Sequence, residues 1–115
     1  MSTTGAQGAT PLHTLTCRAG APLLPQAELQ HYLHQLPGWV WTDGKLQKTF
    51  RFANYYETMA FVNAIAYIAH GQDHHPDLGV YYNRVETIFS THDAGGVTLN
   101  DCVCAAKVEQ LAGAP

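Results

Sequence analysis

The stretch HGQDHHPDLG, residues 70–79, carries three of the chain's seven histidines, two of them adjacent and followed by Pro76. Three chemistries fit it. His70 and His74 stand four apart, a spacing that can place two imidazoles on one helix face as zinc ligands, with His75 or His92 as a third donor. Against that reading, no Glu lies between the pair to act as a base and no Cys-x-x-Cys element accompanies it. A histidine in the last turn of a helix is also stabilised by the helix dipole, by roughly 0.3–1 kcal/mol, with no further role. That reading suffices for His31 and His34 on the first helix, and His13 is incidental. The third chemistry is proton transfer, because an imidazole of pKa about 6.5 gives and accepts protons near neutrality.

Geometry constrains the third reading. Adjacent side chains diverge by about 100° on a helix and point to opposite faces of a strand. His74 and His75 can share a pocket only from an irregular turn. Pro76 favours such a turn, since it biases the residue before it away from helical dihedrals. His92 closes a strand and opens a loop containing Gly95 and Gly96, which gives the chain room to turn tightly there. If that strand lies beside the chain leaving the helix, three imidazoles line one cleft. Spacing by itself leaves the alternatives open.

The elements that must position these residues are legible in the apolar pattern. Leu29, Leu33 and Leu36 recur at helical spacing, with Pro25 in the first turn and Pro37-Gly38 beyond the end. Asp43-Gly44 between two β-prone runs predicts a hairpin, with Trp39 and Trp41 on one face of its first strand and Leu46, Phe50 and Phe52 on one face of its second. A long helix over 55–72 has Asn54 as N-cap, Glu57 to complete a capping box, and an apolar stripe of Phe61, Ile65 and Ile68. Two short strands follow, near 79–82 and 85–91, with a turn at Asn83-Arg84. Thr98 then opens a last helix, capped by Asp101 and facing inward through Leu99, Val103 and Ala106. The fold class read from this order is α+β: a four-stranded, mainly antiparallel sheet with three helices packed on one face, in the order α-β-β-α-β-β-α. Residues 1–22, rich in Ser, Thr, Gly and Ala, read as a flexible N-terminal tail before a single domain over 23–115.

Composition narrows the function classes. Charged residues are only 13% of the 115, against about a quarter in an ordinary soluble domain, so part of the surface is expected to be covered by another copy, as a homodimer or homotetramer. The two open edges of a four-stranded sheet point the same way. Six scattered basic residues and a net charge of -3 give no basic stripe for nucleic acid. No apolar run nears the roughly 18 residues of a membrane span, and the N-terminus has no secretory pattern. The three cysteines, Cys17, Cys102 and Cys104, are an odd and sparse set, with the latter two too close to bridge within a helix. A reduced, cytoplasmic chain is expected.

These residues also carry a family pattern. The run His70, GQD, His74-His75-Pro76, then Tyr82, His92 and Asp101 resembles the signature of the pterin-4a-carbinolamine dehydratases, also described as dimerisation cofactors of a homeodomain transcription factor. LPGW at 36–39, DGKLQKTFRF at 43–52, AFVNAIAYIAH at 60–70 and STHDAGGVT at 90–98 extend the resemblance over roughly 23–112. The resemblance implies dehydration of a 4a-hydroxytetrahydropterin to the quinonoid dihydropterin, in recycling of the pterin used by aromatic amino-acid hydroxylases. It implies no cofactor and no metal, with the pterin as substrate. His74, His75 and His92 would be catalytic. Asp73, Pro76, Leu78 and Thr91 would line the substrate, and His70 and Asp101 would have secondary roles. His70 stands where Glu is frequent, and Leu78 where some members have Trp. Thr14 replaces the first cysteine of a Cys-x-x-Cys found in some bacterial relatives. A non-catalytic oligomeric scaffold, or a protein that stabilises or assembles a partner, is the competing role for the same fold.

Overall fold

In the structure, a computed structural model that describes residues 10–113, Asp43 and Gly44 form the expected two-residue hairpin turn. Both take positive φ, 53° and 72°, as a type I′ turn requires. They join β1 (Val40–Thr42) to β2 (Lys45–Arg51), with Thr42 opposite Lys45. β2 also pairs with β4 (Arg84–Phe89), from Leu46↔Phe89 to Arg51↔Arg84, and β3 (Asp77–Val80) pairs with the other side of β4. The sheet order is β1-β2-β4-β3, antiparallel throughout.

Strand alternation divides this sheet into a covered and an open face. Leu46, Phe50, Val85, Thr87 and Phe89 are buried, whereas Gln47, Thr49, Glu86 and Ile88 stay partly or fully exposed. Helices α1 (Gln26–Leu33), α2 (Tyr55–Gln72) and α3 (Leu99–Gly113) add Leu29, Phe61 and Ile65, and Val103 and Val108 to the core. Asn54 caps the α2 N-terminus as expected, its Oδ1 accepting the Glu57 N–H at 2.9 Å, whereas Glu57 Oε1 accepts the N–H of Ala53, one residue before the cap, at 3.1 Å instead of closing the box on Asn54. α3 is buried all round from Asp101 to Ala106. At its far end Glu109 accepts from Trp39 Nε1 at 2.9 Å and Lys48 Nζ at 2.8 Å, which ties the helix to the sheet. Among the described residues no helix is long and apolar enough to cross a membrane.

Two expectations change. The tail expected over 1–22 is, from residue 10 onward, packed against the domain. Leu12, in a 3-10 turn over Leu12–Thr14, is 1% exposed and belongs to the core. Backbone groups of this segment bond to side chains far along the chain: Leu12 N–H to Gln35, Cys17 N–H to Gln72, Arg18 N–H and C=O to Asn100, and His13 C=O to Lys107. Such a segment needs no periodicity of its own, because its polar backbone is satisfied by its neighbours. Residues 1–9 lie outside the described residues. The second change is β3, expected at 79–82, which begins at Asp77. Its β-prone Tyr81 and Tyr82 are exposed at the chain reversal, where Arg84 lies over the Tyr81 ring at 3.7 Å and the Tyr81 N–H bonds Arg84 O at 3.0 Å. Cross-strand pairing overrides residue propensity here.

Leu12→Ala is therefore expected to lower stability by about 2–5 kcal/mol, the cost of a large-to-small change in a packed core. Urea unfolding monitored by tryptophan fluorescence reads this directly; no change in midpoint would mean that the segment does not pack.

Candidate active site

The end of α2 sets the direction of everything after it. Asp73 follows the helix in the left-handed conformation, φ 51° and ψ 43°. Its N–H bonds His70 O at 3.3 Å, and the His74 N–H reaches back to Ala69 O at 3.1 Å. These two bonds make a Schellman termination, a place usually held by glycine; a residue with a side chain there costs on the order of 1 kcal/mol. Pro76 keeps His75 out of the helical region, and Asp77 is already paired with Ile88. The chain thus passes from helix to sheet in a few residues. As a result the two adjacent histidines line one cavity of ≈ 220 Å³.

The opposite wall comes from the chain leaving β4. Thr91 and Gly96 bridge this loop, with N–H···O bonds of 2.8 and 3.3 Å in the two directions. Between them His92–Ala94 form a 3-10 turn that ends in Gly95 at φ 80°. A Cβ on Gly96 would come within 2.8 Å of Leu23 Cδ1, so a larger residue there would push the Leu23 side chain aside. Thr91, His92 and Asp93 face the cavity from this side, with Ser90 and Ile88 at its floor.

Asp101 joins the two walls. This carboxylate is fully buried, and each of its oxygens is occupied. Oδ2 accepts the Thr98 N–H at 2.8 Å and the Thr91 hydroxyl at 2.8 Å. Oδ1 lies 2.6 Å from His74 Nε2. The residue is both helix cap and histidine partner. The His74 ring, 13% exposed, lies nearly parallel to Phe89, with 11° between the planes. With Nε2 engaged, Nδ1 has no protein hydrogen bond among the described residues and is the ring nitrogen left for a bound molecule. The hydrogen bond to Asp101 raises the His74 pKa above its ordinary value; partial burial opposes this, and the charge of Asp101 adds to it. His74 is thereby biased toward the imidazolium, oriented and ready to donate a proton.

The sequence-derived site is brought together in large part. His74, His75, His92, Asp73 and Thr91 all line the cavity, and Asp101 stands behind His74. His75 is exposed and its Nδ1 lies 3.4 Å from Pro76 O. Leu78 does not line the cavity. It sits opposite buried Thr87 and packs on the core, because its place in β3 turns it to the covered face. Pro76 acts through the turn rather than as a wall, His70 is exposed on α2, and Tyr82 contributes only a backbone carbonyl, which accepts from Thr58 Oγ1 at 2.9 Å. Asp77, Ile88, Ser90 and Asp93 were not anticipated. Ser90, Asp93 and Asp77 fall within the runs already singled out for the histidines, whereas Ile88 emerges only from the β3–β4 register. Among the described residues no group of three or more His, Cys, Asp or Glu side chains is placed to hold a metal ion.

Comparison with known proteins follows the same lines. The family model described as pterin 4 alpha carbinolamine dehydratase matches residues 22–111. A Chromobacterium violaceum protein provisionally named pterin-4-alpha-carbinolamine dehydratase is 55% identical over 96 residues, 84% of this chain and 89% of the relative. One from Stenotrophomonas maltophilia (strain R551-3), with the same provisional name, is 58% identical over 90 residues, 76% of this chain and 78% of its own. Among solved structures, a transcriptional coactivator/pterin dehydratase from Brucella melitensis superposes with a TM-score of 0.75 at 33% identity, covering 78% of this chain and 98% of the other. A pterin dehydratase-like protein identified as a RuBisCO assembly factor in the alpha-carboxysome gives a TM-score of 0.55 at 26% identity, covering 67% and 89%.

The His74–Asp101 pair predicts a signed pH dependence of stability. A raised folded pKa means that the folded state holds a proton which the unfolded state releases above about pH 6.5. The stability difference between the wild type and His74→Gln should be largest below that pH. It should shrink as pH rises through the folded value. Urea melts of both proteins across this range check it; a difference that grows with pH would contradict the assignment.

Proposed function

Because the chain belongs to the pterin-4a-carbinolamine dehydratase family, we propose that it removes water from a 4a-hydroxytetrahydropterin, with His74 as general acid and His92 as general base. The observation that carries this reading is His74 itself, locked by buried Asp101 at Nε2 and left with Nδ1 for the substrate. Hydroxide is a poor leaving group, so the 4a-oxygen must be protonated as its bond to carbon breaks. An oriented imidazolium supplies that proton. The N5 lone pair forms the new C=N bond, and the N5 proton passes to a base across the ring. One proton is given and one is taken, so the histidine pair as a whole is unchanged. His92 lines the same cavity from the opposite loop and is the base assigned to the N5 proton. His75 and Asp73 border the space and serve binding, with the Asp73 charge adding to the imidazolium bias of His74.

The reaction involves no net oxidation or reduction, so the reading needs no redox cofactor; the pterin is the substrate. The same reading places the protein in the cytoplasm as a homo-oligomer serving an aromatic amino-acid hydroxylase. Support for a covered surface comes from α2, where Tyr56 and Tyr67 are 83% and 81% exposed. The coactivator and assembly-factor names carried by the two structural neighbours favour a second reading, in which the fold stabilises a partner. The three histidines lining one cavity favour the dehydratase reading.

His74→Ala and His92→Ala are each expected to lower the enzyme-dependent rate of carbinolamine dehydration by roughly 10²-fold or more. Stopped-flow measurement above the spontaneous rate tests this. Unchanged rates in both variants would remove the proposed roles, and a wild type with no activity that co-purifies stoichiometrically with a partner would establish the scaffold reading. In the wild type the acid-dependent rate should fall as pH rises through the raised His74 pKa.

A further inference from the structure

Beside the backbone carbonyl of His74, two thiols meet. Cys17 Sγ and Cys104 Sγ are 3.4 Å apart, although 87 positions separate them. Cys104 is fully buried in α3, whereas Cys17 is partly exposed and lines a second cavity, of ≈ 580 Å³, that shares Asp73, His74, Thr91 and Asp93 with the first. The pair is held from both sides. Gln72 Oε1 accepts the Cys17 N–H at 2.8 Å, Asn100 brackets Arg18, and Cys104 Sγ lies 3.9 Å from His74 O.

We infer that Cys17 and Cys104 are an oxidisable dithiol, closed to an intramolecular disulfide by hydrogen peroxide that enters through the cavity at Cys17. Three features support this. The sulfurs need to approach only from 3.4 Å to the covalent distance of about 2.05 Å. Cys17 is the reachable member, and the hydrogen bond from Cys104 lowers its pKa, with His74 and Lys107 adding to this effect against partial burial. Cys104 is raised by donating that bond and by its burial, so the two differ in role as attacking thiolate and resolving thiol. Cys102, on the same helix, is pushed up to about 12 by burial and is an internal control.

The chemistry balances. The Cys17 thiolate attacks one peroxide oxygen and the O–O bond breaks, giving a sulfenic acid and hydroxide. Cys104 then displaces the sulfenic oxygen, its proton leaving with that oxygen as water. Two thiols and one peroxide become one disulfide and two waters, with two electrons passing from sulfur to oxygen. The new bond fixes residues 18–23, one wall of the larger cavity, to the helix that carries Asp101. Thiol oxidation would therefore act on the cavity that borders the site, without consuming any residue proposed for proton transfer.

The test is hydrogen peroxide titration of the reduced full-length chain, followed by thiol counting and peptide mass mapping without reductant. The expected result is loss of two of the three thiols, a linked peptide pair containing Cys17 and Cys104 within one chain, and full reversal by dithiothreitol. Cys17→Ser should abolish the linkage and Cys102→Ala should retain it. Cys17→Ser changes a partly exposed side chain and keeps the test independent of whether a Cys104 variant folds. Oxidation of Cys17 to the sulfinic acid while Cys104 stays a thiol, a linkage between chains, or no loss of thiols would each overturn the inference. None of these readouts depends on dehydratase activity.

Discussion

The carboxylate of Asp101 is the point on which the site depends. An unpartnered buried carboxylate would cost several kcal/mol, and this one is satisfied from three separate parts of the chain. The Thr98 N–H belongs to the start of α3, the Thr91 hydroxyl to the loop after β4, and the His74 ring to the end of α2. The need to satisfy one buried charge therefore brings together elements that the hydrophobic core alone would leave free to slide. Core packing brings the layers together, but it is non-directional. The hydrogen bonds at Asp101 give orientation.

The same arrangement separates the histidines by environment. His74 is mostly buried, ring-stacked and paired, whereas His75 and His92 are exposed at the rim. Identical side chains thus sit in unequal surroundings, and the Asp101 hydrogen bond raises the His74 pKa. Acid–base chemistry on a heterocycle needs such asymmetry, because a donor and an acceptor must differ before substrate arrives. The cost of the arrangement appears at Asp73, which adopts a left-handed backbone without being glycine. A strained residue beside the proposed reacting centre is consistent with strain concentrating at functional sites.

Much of this was legible in the residues. The capped long helix, the Asp43-Gly44 hairpin and the helix opening at Thr98 are local signals, and local hydrogen bonds satisfy them. The gathering of His74, His75 and His92 was legible only as a condition on the turn at Pro76, which the structure meets. Asp101 was read as a cap or as a family residue; its two oxygens allow it to be cap and histidine partner at once. What stayed hidden depends on contacts distant in sequence. Leu12 and Cys17 carry no periodicity, because Gln35, Gln72 and Asn100 bond their segment from afar. The family resemblance points to Leu78 as a site residue, but strand alternation turns it the other way. Tyr81 and Tyr82 have strand propensity, yet the register of β3 on β4 leaves them in the turn.

The shortness of the link between helix and sheet has one more consequence. Only His75 and Pro76 separate His74, anchored at its backbone and its ring, from Asp77, already in register with Ile88. Side chains alternate faces along a strand, so one added residue in this link would exchange the inward and outward sets of β3. Leu78 would be expelled into water and Asp77 driven toward the apolar layer. The spacing of the histidines is thus also a ruler for the edge of the sheet, and a length change here would damage folding before it altered any chemistry.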